Sequence, residues 1–333
     1  MRLQDILYFP LKYLGQLGSS IVSRENETRR RKTRNGMAGS LIENVSDTAF
    51  WIAHCRALET ERPDALFRDP LARLLAGDRG KKIANAMPVR FITTWIVAIR
   101  TRVIDDYIRW AIAQGVDTIL NLGAGLDTRP YRLDLSESLV WIEADYPRIV
   151  EFKEERLSNE KPRCQLDRVK LDLANLSERR KLLASVDARA RKMLVLTEGV
   201  VPYLSLEEGA SLADDLRTLD HVRYWIVEYI SPQASKYRHR GMRQLMKNAP
   251  FKFAPADWFA FFEIHGWRAR ETRYLWDESR RLHRPIQLPL FLKVVFIIRG
   301  IFASKEQRAA FRKFQGYALL EPADSQAPPL TPR

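Results

Sequence analysis

Thr118-Ile-Leu-Asn-Leu-Gly-Ala-Gly-Leu-Asp-Thr-Arg129 is the stretch on which the fold turns. Its first five residues, Thr118–Leu122, are an apolar run of strand length, and two glycines follow at once. Gly123 and Gly125 permit torsions that a Cβ would forbid and let the main chain pass close to a ligand. In an open α/β sheet, ligands bind beyond the carboxyl ends of the strands at such a turn. The next apolar run, Leu139–Ala144, leads into Glu143-Ala-Asp145, and Asp145 lies 22 positions after Gly123. A carboxylate at this spacing can accept hydrogen bonds from both hydroxyls of a ribose 2′,3′-diol. Where a dinucleotide-binding turn wants a third glycine, this chain has Thr128, followed by Arg129 and Pro130. That is a poor cradle for a pyrophosphate, but it suits a ligand without phosphate.

Outward from the turn, short apolar runs alternate with helical stretches. Arg168–Leu171, Met193–Thr197 and Val222–Tyr229 read as further strands, with helices over Ile149–Leu157, Ser177–Val186 and Leu206–Leu219. Short buried runs separated by helices indicate a doubly wound parallel sheet covered on both faces. Upstream, helices are expected over Ala49–Leu58, capped at Ser46-Asp47, then over Leu71–Ala76 and Ile92–Ala113. The fold class is therefore α/β, with helices added before the sheet.

The chain has 333 residues, 46% of them hydrophobic, enough for a large core. Cys55 and Cys164 are its only cysteines and stand in no Cys-x-x-Cys pair, which excludes a disulfide framework and a structural zinc site. The formal charge of +14 concentrates in two Arg-rich stretches, Arg24–Arg34 and Arg268–Arg284. Such fields suit nucleic acid, an anionic membrane or an acidic substrate, and equally a solvated surface. The first 23 residues carry a helical apolar stripe (Leu3, Ile6, Leu7, Leu11, Leu14, Leu17, Ile21) interrupted by Asp5 and Lys12. This favours an interfacial or self-packing helix over a secretory signal. Leu288–Phe302 is the most apolar stretch; as a helix it would fall short of a bilayer core, and Lys293 and Arg299 also argue against crossing.

Taken together, Leu122–Arg129, Ser46-Asp-Thr-Ala49 with Arg56-Ala57-Leu-Glu59, Phe67-Arg-Asp-Pro70, Glu143–Pro147, Leu171-Asp-Leu173, Thr197–Leu204 and Gly316–Leu320 resemble, in order, the leucine carboxyl methyltransferase-like family. The likeness runs over residues 46–321 and points to the bacterial members. It implies a class I methyltransferase (Rossmann-like) sheet with added N-terminal helices and a C-terminal helical insertion. Residues 1–40 are then a basic extension, 41–321 the methyltransferase domain and 322–333 a disordered tail. Within the domain, helices fill 41–113, the cofactor core 114–230, and the substrate cap with the closing strands 231–321.

The resemblance also implies S-adenosyl-L-methionine as cofactor and assigns roles by position. Arg100, with Arg102 as runner-up, would bind the carboxylate of the cofactor's methionine part. Gly123 and Gly125 would face the cofactor, and Asp145 would hold the ribose. Asp172 would accept from the adenine amino group, with the backbone of Leu173 beside the ring. Glu198 would line the methyl end, and Glu198 and Tyr203 are the candidates to touch substrate. Arg129 and Arg132 are expected to anchor the loop. Duller roles stay open: an exposed helix residue at Arg100, a helix cap at Asp172, a carboxylate paired with arginine at Glu198. No metal site is expected.

The implied activity is O-methylation, on a carboxylate or hydroxyl, of a small apolar acceptor such as a polyketide-like metabolite. Arg280, Arg281 and Arg284, beside the apolar run, would suit an acidic head on it. Alternatives are methylation of a protein C-terminal carboxylate, an NAD-dependent oxidoreductase, and a non-catalytic basic membrane- or RNA-binding protein on the same fold. Expected partners are the small-molecule acceptor, a peripheral membrane contact and a second copy of the chain, without nucleic acid. The location expected is cytoplasmic, peripheral at a membrane if the apolar run meets one.

Overall fold

A computed structural model describes residues 42–87, 90–235, 246–290, 293 and 302–325. The basic extension, most of the apolar run 288–302 and the end of the tail lie outside these described residues.

Seven strands form one sheet in the order β3-β2-β1-β4-β5-β7-β6. They are β1 (Thr118–Leu122), β2 (Val140–Asp145), β3 (Gln165–Lys170), β4 (Met193–Thr197), β5 (Val222–Ile230), β6 (Trp267–Tyr274) and β7 (Gln315–Pro322). The first five are parallel, and β7 runs antiparallel between β5 and β6. The order reverses between β1 and β4, which places the switch point at the carboxyl end of β1. This is the doubly wound α/β sheet that the alternation of strands and helices called for.

Alternate residues of the strands divide between two cores. Leu120, Ile142, Val195 and Trp225 pack on one face, under the helices after β3 and β4. Ile119, Trp141, Leu194 and Ile226 pack on the other, against α3 (Arg90–Ala113) through Ile99, Val103, Ile104 and Ile108. A third cluster joins α1 (Val45–Thr60) and α2 (Ala72–Ala86) to Leu126 of the glycine turn, to Ile149 and to Met246. It covers the carboxyl edge, so the added N-terminal helices roof the switch point.

The expected cap at Ser46-Asp47 is corrected. Helix α1 begins one residue after Asn44, and Asp47 reaches back to accept the Glu43 N–H at 2.7 Å from inside the first turn. Strand β6 was not anticipated. Its sequence, Trp-Arg-Ala-Arg-Glu-Thr-Arg-Tyr, reads as a charged surface, yet Arg268 and Arg270 lie over buried Glu321 of β7 at 2.8 Å each. A register shift between Ala269 and Glu271 also breaks the alternation that sequence reading relies on. Among the described residues, no helix is long and apolar enough to cross a membrane.

The helix Leu206–Arg217 opens with a capping box, Ser205 Oγ accepting the Glu208 N–H while the Glu208 carboxylate accepts the Ser205 N–H. Ser205→Ala should cost about 1 kcal/mol. The expected fall of roughly 2–4 °C in melting temperature is measurable by calorimetry, and an unchanged value would show that this end is held by packing alone.

Candidate cofactor site

The glycine turn leaves β1 at the switch point and needs both of its glycines. Gly123 has φ +65° and Gly125 φ +52°, in the left-handed region. A Cβ on Gly123 would stand 2.4 Å from Val200 Cγ2, and one on Gly125 would meet Ala49 of α1 at 3.4 Å. The turn is thus pinched between the loop after β4 and the roof helix, a cradle that side chains would fill.

Asp145 ends β2 and fastens this turn. One carboxylate oxygen accepts the Gly125 N–H at 2.6 Å and the other the Tyr146 N–H at 2.7 Å. Burial pushes its carboxyl up, and the two backbone donors only partly offset that. Each oxygen has a further lone pair, so the group can also receive hydroxyl donors.

Asp172, after β3, is exposed and accepts the Ala174 N–H at 2.9 Å. It does not cap the next helix; Asn175 does, by accepting the Glu178 N–H. Leu173 comes within 3.9 Å of the Cβ position at Gly123, so it borders the glycine turn.

Beyond β4 the site becomes ionic. Glu198 takes Arg100 at 2.9 Å on one oxygen and Arg129 at 2.8 Å on the other. Arg129, 2% exposed, also binds Asp105 at 2.7 Å and Asp127 at 2.8 Å. Arg132 closes the chain on Asp105 at 2.7 Å. Burial alone would raise the Glu198 carboxyl, but Arg129 and Arg100 outweigh it and hold the group below the usual carboxylate range. Asp127 and Asp105 are held low in the same way, against burial, by Arg129 and Arg132 among others. Arg129 and Arg132 therefore anchor the loop, as the sequence suggested. Between the two candidate arginines, Arg100 reaches this cluster, whereas Arg102 pairs with Asp106 at 2.9 Å on the helix surface.

Tyr203 lies in a short 3₁₀ turn, Val201–Tyr203, on the opposite wall. Its ring stacks on Phe251 with centroids 5.1 Å apart, next to the roof cluster of Ile42, Trp51, Met246 and Ala249. The carboxyl edge thus brings together Arg100, Gly123, Gly125, Asp145, Leu173 and Glu198, with Asp172 at one rim and Tyr203 at the other.

Sequence reading passed over Asp105, Asp127, Glu228 and Tyr317. Asp105 offered a signal: it is a charge inside the apolar stripe Val103, Ile104, Ile108, and a charge there must be paired. Arg281 and Arg284 do not await an acidic head. Arg284, 7% exposed, is taken by Glu59 and by Asp64 at 2.7 Å, and Arg281 by Glu278 at 2.6 Å. A buried guanidinium needs such partners, so Arg284 ties the segment after β6 to the rest of the chain, while Arg281, on the surface, pairs within its own helix.

Residues 49–217 match the family profile described as leucine carboxyl methyltransferase. A relative from Mycobacteroides abscessus, provisionally named an S-adenosyl-L-methionine-dependent methyltransferase, is 28% identical over 76% of this chain and 93% of its own. One from Mycobacterium sp. strain KMS, with the same provisional name, is 32% identical over 80% of this chain and 97% of its own. A crystal structure of a provisionally named methyltransferase from Thermobifida fusca YX aligns with a TM-score of 0.49 at 14% identity, covering 81% of this chain and 94% of that one.

Proposed function

This chain belongs to the leucine carboxyl methyltransferase family, and from that membership and the site geometry we propose that it moves a methyl group from S-adenosylmethionine to an oxygen of a small, apolar acceptor. The observation that carries the reading is the pinched glycine turn fastened by Asp145, with the Arg100–Glu198 pair beside it.

The residues fit the cofactor's parts. Asp145 would receive the ribose hydroxyls, Asp172 the adenine amino group and Leu173 the ring edge. Arg100, whose buried Nε has no hydrogen-bond partner, would take the methionine carboxylate through a charge-assisted pair. When bound, the cofactor supplies a methyl group on a sulfonium, open to in-line displacement. The protein's part is alignment, worth up to about 7–11 kcal/mol. An acceptor carboxylate is already ionised at neutral pH and needs no base. Two described histidines are engaged away from the carboxyl edge, His265 with Asp214 at 2.6 Å and His221 with Asp187 at 3.3 Å. An acidic hydroxyl as acceptor would likewise need little help from a base. The aromatic wall of Tyr203 and Phe251 favours an apolar body on it.

S-adenosylhomocysteine should raise the melting temperature by linkage, while NAD should leave it unchanged. Label from the methyl-tritiated cofactor should pass into an organic-extractable product, released by mild base from an ester and retained by an ether. A shift with NAD and none with either sulfur cofactor would overturn the proposal.

A further inference from the structure

Strands β4 and β5 pair with Thr197 opposite Val227, so Glu198 and Glu228 follow at the same level on neighbouring strands. Tyr317 of β7 stands opposite Glu228 and donates its hydroxyl to Glu228 Oε1 at 2.7 Å. Glu228 and Tyr317 are 3% and 0% exposed. Two carboxylates therefore lie side by side beneath α3, where Arg100 descends onto Glu198.

The charges in this corner do not balance. Arg129 and Arg132 are matched by Asp105 and Asp127, and Asp105 serves both arginines. Glu198 is shared by Arg129 and Arg100, so three arginines in this corner face four carboxylates, and Glu228 is the one without an arginine partner. Arg100 spends Nη2 on Glu198, while Glu228 Oε2 is buried without a hydrogen-bond partner. A buried carboxylate oxygen left unmatched is a cost to the free protein. It is tolerated where a ligand brings the missing charge. Burial and the neighbouring Glu228 carboxylate push the Tyr317 phenol up, against Arg100, so the hydroxyl keeps its proton as a fixed donor to Glu228.

We propose that Glu228, held by the Tyr317 hydroxyl one strand beyond Glu198, is a specificity-determining residue whose excess buried negative charge makes this end of the site prefer the cationic cofactor to its neutral product. The inference rests on the function proposed above. S-adenosylmethionine carries two positive charges and one negative, and loss of the methyl group removes the sulfonium charge and leaves a neutral zwitterion. A unit charge sensed through a protein interior is worth on the order of tenfold in affinity. Glu228 acts through this field and needs no contact with the ligand.

Calorimetric affinities of the full-length protein for S-adenosylmethionine and S-adenosylhomocysteine test this. In Glu228→Gln the dissociation constant for S-adenosylmethionine should rise roughly tenfold, while that for S-adenosylhomocysteine changes far less. Tyr317→Phe, which frees the carboxylate to move, should narrow the same ratio by a smaller factor, and it serves as the test should Glu228→Gln not fold. Equal weakening of both ligands, or no change in either, would overturn the inference and leave the cofactor site standing. A wild-type protein that binds neither ligand would instead overturn the proposed function from which the inference starts.

Discussion

Arg129→Ala should melt well below the parent protein, by roughly 5–15 °C. The guanidinium is 2% exposed and binds Asp105, Asp127 and Glu198 together. Removing it leaves three carboxylates crowded around a cavity, and breaking a buried ionic group from one side costs about 3–5 kcal/mol. Lysine should rescue little, because one ammonium cannot reproduce a planar fork spanning three acceptors. The pH dependence has a definite sign. Asp105, Asp127 and Glu198 are held low in the folded protein, so their stabilisation is present above the unfolded carboxylate pKa and fades as pH falls through the folded values. The gap between parent and Arg129→Ala should therefore be full at pH 7 and shrink below about pH 4. A variant that melts with the parent at pH 7, by calorimetry, would show that the cluster carries no net stability.

Asp145→Ala should weaken S-adenosylhomocysteine by at least about 100-fold, since it removes acceptors for two hydroxyls worth about 1.5–3 kcal/mol each. The same change frees the Gly125 and Tyr146 N–H groups, so part of the loss would come from a slackened glycine turn. Ligand fragments separate cofactor from fold. Methylthioadenosine, which keeps the ribose, should weaken by a similar factor, and adenine alone should be unaffected. Asp145→Asn, with one acceptor oxygen left, should fall between alanine and the parent. Calorimetry reads all of these, with far-UV circular dichroism to confirm the fold. Parent-like affinity in a folded Asp145→Ala would remove Asp145 from the ribose site.

The inner strands were legible because their composition is local and unmixed. Thr118–Leu122 and Met193–Thr197 are buried at every position, and both match the apolar runs in the sequence residue for residue. Edge strands were harder. Strand β3 begins at Gln165, three residues before the expected start, because alternate positions face solvent and dilute the apolar signal. In β6, Arg268 and Arg270, which suggested a free cationic surface, both pair with Glu321, some fifty residues away in sequence.

The sequence by itself determined the doubly wound sheet, the switch point after β1, and the glycines and the carboxylate gathered there. Those features are written in short-range pattern: glycines where the backbone must enter the left-handed region, and an acidic residue at the end of the next strand. Tertiary structure alone decided the charge around them. Which of Arg100 and Arg102 serves the site, what Glu198 is bonded to, and that Glu228 lies beside it all depend on strand register and on how α3 crosses the sheet. Electrostatic partners are chosen by distance in space, and separation along the chain does not encode it.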